Sequence, residues 1–229
     1  MEKHITPTKA LSRFMQLLDG NFPSGIFVHS FGLESHVVLE KVRTMEELEH
    51  YLHNIIIDQY QKFEFPFILK VFKHLEKENL KALIKEDKNY SAMLNFEYAK
   101  ASQTIGHNYL KHINREIQSP PVKEFYAAVS EQKSSGNELA VLSAYAYAEG
   151  LDKELLMLLW CKKSLITLSA CTLKISRIKP SEIQQMLFRF DDVLEDYIND
   201  SFLRVENFNP LFEEVIYQHL HLEPKLFTT

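Results

Sequence analysis

The chain has few of the residues that would commit it to a catalytic, secreted or membrane-spanning life. Among 229 residues there are six glycines, two cysteines and one tryptophan. Cys161 and Cys171 cannot form a disulfide framework, so reduced thiols in the cytoplasm are the expectation. There is no G-x-x-x-x-G-K-[S/T] and no G-x-G-x-x-G, which argues against a chain that holds and hydrolyses a nucleotide itself. The least polar stretch, Ser164 to Leu173, is about half of what a bilayer requires. The opening residues, M-E-K-H-I-T-P, lack the apolar run of a secretory leader. The formal net charge is -5, with lysines scattered rather than blocked, which argues against a non-specific nucleic-acid binder. Period-two alternation is absent apart from a weak hint around Leu173 to Ile178.

What is present is helical periodicity. It predicts a short helix from Ala10 to Leu18 and a helix starting near Val28 with Val28, Phe31 and Val38 facing the core. Thr44 with Glu47 forms a capping box for a helix that carries Leu48, Leu52, Ile55 and Ile56 on one side and ends or kinks at Pro66. Leu80 to Ile84 reads as a short piece and Glu86 to Asn89 as a polar connection. A long helix, capped by Ser91, is expected to run to Ile117, with Gly106 inside its apolar stripe. An interior glycine there suggests close helix packing. Helices follow from Val122, from Leu139 to Glu149 with Gly150 as its terminator, from Glu154 to Leu173, and from Pro180 onward. Lys162 and Lys163 mark the polar side of the most apolar helix. A short helix over Leu211 to Leu220 closes the series. The expectation is an all-α, single-domain bundle of roughly eight to ten long antiparallel helices over residues 1–229. Segments 1–8 and 207–229 are expected to be flexible or ordered by a partner. An apolar tail of that kind either docks on its own domain or awaits one.

No catalytic arrangement emerges. Ser30 and Glu34 share a helical face, but His29 points about 100° from Ser30 and no nucleophile elbow surrounds the serine. The histidine pairs His50/His53 and His219/His221 are the weak candidates for holding metal; the plainer reading is surface histidine. Asp191 and Asp192 are expected to sit solvated on a helix surface with no pocket. Residue chemistry therefore supports a helical binding or scaffold protein, with no cofactor of its own and no enzymatic activity.

One stretch does not fit plain helix packing. Leu17 to Glu34 crowds Gly20, Pro23, Gly25 and Gly32 among Phe22, Phe27 and Phe31. Glycine and proline set backbone geometry, and the aromatics argue for burial. The pattern D-x-x-F-P-x-G-x-x-x-H-S-x-G-L-E, formed by Asp19, Phe22, Pro23, Gly25, His29, Ser30, Gly32, Leu33 and Glu34, resembles the N-terminal signature of the urease accessory protein UreF family. Gln103, Thr104 and Gly106 resemble that family's Q-T-x-G motif, with His107 where arginine is usual. Gln184 resembles the glutamine that opens its last long helix. Gly150 with Leu151, and Lys174 beyond them, follow the family pattern. His219, Lys225, Leu226 and Phe227 resemble its H-E-x-x-x-x-R-L-F ending, with Leu220 replacing the acid and Lys225 the arginine.

The resemblance implies an all-α, cytoplasmic, dimeric, non-enzymatic protein of urease maturation. It further implies a scaffold that joins UreD/UreH to the GTPase UreG, docks on apo-urease and couples GTP hydrolysis by UreG to nickel insertion. His219, Lys225, Leu226 and Phe227 are the expected UreD/UreH side. Asp19, Glu34 and Lys174 are the expected UreG side, with the Phe22 to Ser30 bend as support. The alternative is a carrier that holds nickel itself through His219 and His221.

Overall fold

A computed structural model describes residues 8–19, 22–24, 33–114, 117–175, 178–199 and 210–227, with the side chains of 55, 174, 175 and 210–212 left aside. The described residues are all helical or connecting, with no strand among them. In chain order the helices are α1 Thr8–Leu18, α2 Leu33–Val38, α3 Met45–Tyr51, α4 Phe65–Glu76, α5 Leu80–Met93, α6 Phe96–Ile113, α7 Pro120–Ser130, α8 Glu138–Glu149, α9 Lys153–Ile175, α10 Pro180–Asn199 and α11 Pro210–His219.

Thr44 caps α3 with the full capping box: its hydroxyl accepts from the Glu47 amide at 3.2 Å, and the Glu47 carboxylate accepts from the Thr44 amide at 3.0 Å. Beyond α3 the helical course continues through two wider π-helical turns, Leu52–Ile57 and Tyr60–Glu64, into α4. The Phe65 amide donates to the Tyr60 carbonyl five residues back. That wider turn leads into Pro66, which has no N–H to give, so the helix passes the proline instead of ending there.

Two expectations are corrected between residues 80 and 117. The segment read as a short piece plus a polar connection is one helix, α5, whose inner face is Leu83, Asp87 and Tyr90. A buried aspartate takes an apolar position there and hides the periodicity. The long helix expected from Ser91 is interrupted: Leu94 is extended, and Asn95 starts α6 by accepting from the Glu97 amide at 3.0 Å. Ser91 belongs to the last turn of α5.

The core is centred on α8 and α9. Every residue of α8 from Glu138 to Ala146 is buried, and α4 and α6 pack on it, while α2 and α10 pack on α9. Gly106 is where α6 meets the start of α8. A Cβ there would lie 2.1 Å from the Gly136 carbonyl oxygen, so only glycine permits the approach. Gly150 ends α8 at φ +74°, the left-handed conformation that terminates helices. Helix α9 also corrects the estimate made from Ser164 to Leu173 alone. Its span Lys153–Leu173 is long and apolar enough to cross a membrane by length and composition, but 67% of that apolar window is buried inside the fold, as suits a core helix.

Candidate functional site

The described part of the opening motif is fastened to α6. Phe22 stacks on Tyr109 with ring centroids 5.3 Å apart and meets His112 edge-on at 5.2 Å. The Tyr109 hydroxyl donates to the Leu17 carbonyl at 3.0 Å, and the Asn108 amide donates to the Ser24 carbonyl at 3.1 Å. Together these contacts fix how the chain leaves α1. Pro23 is exposed on the outside of the bend, and Asp19 is exposed where α1 ends. Gly25, His29, Ser30 and Gly32 lie outside the described residues.

Glu34, which closes the motif, is fully buried in the first turn of α2. Its carboxylate accepts from the Leu226 amide at 2.6 Å and the Phe227 amide at 3.1 Å, and faces His219 Nε2 at 3.2 Å. The other ring nitrogen of His219 faces the Glu97 carboxylate at 3.4 Å. The buried acid is thus matched by donors from the far end of the chain, which is what a carboxylate needs to sit in a core. Leu222 and Phe227 are buried as apolar anchors of the tail. A Lys41–Glu214 pair at 3.5 Å adds a second tie between α11 and the segment after α2.

This arrangement changes the surface map. Glu34, expected on the UreG side, has its carboxylate inside, joined to the residues expected on the UreD/UreH side. A partner reaches it only after the tail has left. Residues 210–227 are docked on their own domain. The clasp is bordered along the chain by an exposed apolar rim: Phe96 beside Glu97 at 78%, Leu220 beside His219 at 42%, Leu226 in the clasp segment at 64%, and Tyr217 on α11 at 58% exposure. Lys225 is exposed nearby. His221 is also exposed, its ring against Tyr217 at 5.0 Å, and it does not join His219 in the clasp. Among the described residues no group of three or more His, Cys, Asp or Glu side chains is arranged to hold a metal ion.

The middle motif has a structural task. Gln103 donates to the Ser91 hydroxyl at 3.1 Å, and Asn137 donates to the same oxygen at 2.8 Å. Asp87, fully buried, accepts from the Ser134 hydroxyl, the Gly136 amide and the Asn137 side chain, each at 2.7 Å. His107 Nε2 lies 3.1 Å from the Ser135 carbonyl oxygen. Gln103, Gly106 and His107 therefore seat the loop before α8.

Lys174 lies in the last turns of α9; only its backbone is described. Lys163, expected on a polar side, is instead buried and pairs with Glu138 at 3.1 Å. Burial works against its charge, but the Glu138 carboxylate and Tyr109 override it and hold the ammonium above its ordinary pKa. Lys162 does reach outward, to Asp191 at 2.6 Å and to the Leu187 carbonyl. Glu64 sits at the end of the second π-helical turn, fully buried, with Tyr98 donating to it at 3.2 Å. Burial, only partly offset by the hydrogen bond from Tyr98, pushes its carboxyl up to about 8. Sequence reasoning singled out none of Asp87, Glu97, Glu138 and Glu64. The available signal was an ionisable residue at an apolar position of a helix, as with Asp87 between Leu83 and Tyr90.

A sequence profile of the family described as UreF matches residues 42–191. That match lies between the opening motif and the tail. Proteins named urease accessory protein UreF are similar over the same order of length. The one from Actinobacillus pleuropneumoniae serotype 5b (strain L20) is 28% identical over 144 residues, covering 62% of this chain and 63% of its own. The one from Bacillus sp. (strain TB-90) is 29% identical over 147 residues, 64% of each chain. The one from Ureaplasma urealyticum serovar 10 is 27% identical over 143 residues, 60% of this chain and 59% of its own. The matched part of this chain thus spans under two thirds of the length of these relatives.

Proposed function

The chain belongs to the UreF family, and from that premise we propose that it is a scaffold for urease maturation, joining UreD/UreH to the GTPase UreG on apo-urease. In this reading it performs no catalysis. It works in the cytoplasm as a two-fold dimer, which presents each docking face twice. GTP is hydrolysed by UreG, nickel is the cargo of the assembly, and this chain regulates or couples the two.

The observation that supports a docking role is the exposed apolar rim of Phe96, Tyr217, Leu220 and Leu226 bordering a buried, hydrogen-bonded clasp. Scattered exposed apolar residues need no explanation, but Tyr217, Leu220 and Leu226 share one firmly anchored segment, which suits a protein contact. We assign this rim, with His219, Lys225 and Phe227 beneath and beside it, to UreD/UreH. Asp19 and Lys174, supported by the bend from Phe22, are assigned to UreG. Glu34 links the two sides from within by holding the tail in place.

The test is size-exclusion chromatography with light scattering on this chain, its cognate UreD/UreH and UreG, with GTP and magnesium. A single species with two copies of each is the expected result. Separate peaks at micromolar concentration, with each component folded, would overturn the scaffold reading.

A further inference from the structure

Lys163 is the only lysine or arginine buried among the described residues. Trp160 and Thr167, one turn to either side of it on α9, are buried with it. An apolar side chain is the ordinary choice at such a position. Its neighbour Lys162 points the other way, outward to Asp191. Asp191 and Asp192, expected on a surface with no pocket, line a groove of about 520 Å3 there. Lys163 reaches two other helices at once. Its ammonium lies 3.1 Å from the Glu138 carboxylate, in the first turn of α8, and stands over the Tyr109 ring on α6, 5.9 Å from the ring centre. The Glu138 amide donates to Ser102 Oγ at 3.2 Å, two turns before Tyr109 on the same side of α6.

A buried ion pair is weak evidence for added stability, since a well-packed apolar pair of similar volume often does as well. What this one supplies is direction. A cation at that distance is attracted to the ring face, which favours one orientation of Tyr109. That orientation matters because Tyr109 carries the opening motif. Its hydroxyl donates to the Leu17 carbonyl at 3.0 Å, and its ring stacks on Phe22 with centroids 5.3 Å apart and planes 19° apart. Leu17 and Phe22 stand on either side of Asp19, the residue assigned to UreG. The contacts therefore run from Glu138 through Lys163 and Tyr109 to both flanks of Asp19.

We infer that Lys163, held by Glu138, is a positioning residue for the UreG contact: it orients Tyr109, and Tyr109 sets how Leu17 and Phe22 present Asp19. Lys163 itself is too deeply buried to touch a partner. The inference rests on the scaffold reading, because it takes UreG to be the protein that meets Asp19.

The experiment compares the full chain with Glu138→Leu/Lys163→Met, which removes both charges and keeps apolar volume at both positions. Hydrogen exchange is read over residues 17–24, where the Phe22 and Ser24 amides donate to the Asp19 and Phe22 carbonyls at 3.0 and 2.7 Å and so report on the bend. Affinities are read for immobilised UreG and for immobilised UreD/UreH. The double variant is expected to fold, to exchange roughly tenfold faster over 17–24 and to bind UreG roughly tenfold more weakly. Its affinity for UreD/UreH is expected to stay at the wild-type value, whereas a general loss of structure would weaken both partners. Lys163→Gln keeps a donor for Glu138 and drops the charge; it is expected to show the same pattern and decides the matter should the double variant not fold. Wild-type exchange over 17–24, unchanged UreG affinity with the bend loosened, or equal losses for both partners would each overturn the inference. Failure of the unaltered chain to bind UreG would overturn the scaffold reading, and exchange over 17–24 would still decide whether Lys163 holds the bend.

Discussion

Replacing Glu34 by alanine is the sharpest perturbation the structure offers. The side chain is fully buried and is the acceptor for the Leu226 and Phe227 amides and the neighbour of His219 Nε2. Truncation leaves donors without a partner, and each buried unsatisfied group costs about 1–3 kcal/mol. Water reaches the outer part of this cluster more easily than the inner part, so the tail has a way out: it can leave the domain and solvate those groups. Leaving exposes Leu222 and Phe227, each worth about 1.5–3 kcal/mol of burial. Both routes lose a few kcal/mol, and the expected global destabilisation is about 2–4 kcal/mol. In a chain of this size that lowers the melting temperature by roughly 5–15 °C.

The local effect is more diagnostic. Hydrogen exchange read by mass spectrometry should show the 222–227 segment losing protection, while α8 and α9 change only through the global term. Glu34→Gln retains one acceptor oxygen and should fall between the two states. If peptides covering Leu226 and Phe227 exchange at the wild-type rate in Glu34→Ala, with the melting temperature unmoved, the clasp does not hold the tail and the reasoning fails.

Other expectations follow from the same interior. Gly106→Ala drives a Cβ into the backbone around Gly136, which cannot step aside as a side chain would, and should cost about 1–3 kcal/mol or more in a urea melt. Gly150→Ala meets no atom within 4 Å and should cost only the strain of its left-handed backbone, about 1 kcal/mol. Lys163→Met strands the Glu138 carboxylate in the core and should cost about 3–5 kcal/mol, most of it regained in Glu138→Leu/Lys163→Met. Glu64 titrates near 4.5 when unfolded and near 8 when folded, so the folded state holds the extra proton between those values. The stability this contributes is complete below pH 4.5 and is lost as pH rises towards 8; urea melts at pH 5.5 and 8.5 should show the loss, and Glu64→Gln should flatten it.

These cases also explain what the sequence disclosed and what it concealed. Apolar residues at helical spacing located nearly every helix, the Thr44 capping box and the Gly150 terminator, because those signals are local. Gly106 was readable too, since an interior glycine in an apolar stripe has few other uses. The ionisable interior was not. Asp87 split α5 into a fragment and a connection because periodicity counts apolar side chains and a satisfied buried acid is not one. Lys163 was grouped with Lys162 because neighbouring residues share a sequence neighbourhood while pointing about 100° apart on a helix. Glu34 finds its partners 185 to 193 residues away, and no local pattern encodes such a match.

That long-range match decides how the docking role has to be tested. Deleting 207–229 removes the proposed UreD/UreH contact and also strips the buried Glu34 carboxylate of the Leu226 and Phe227 amides and of His219. Lost capture by such a truncation would report unfolding as readily as a missing interface. Leu226→Arg is the cleaner change. Its side chain is 64% exposed while its amide makes the hydrogen bond, so the clasp survives the substitution. The melting temperature should stay within about 2 °C of wild type, as for surface substitutions elsewhere. Capture of UreD/UreH should fall at least tenfold if Leu226 is a central contact, the scale of an interface anchor being about 1–2 kcal/mol or more. A folded Leu226→Arg protein that binds UreD/UreH with unchanged affinity would remove the rim from the interface while leaving the clasp intact.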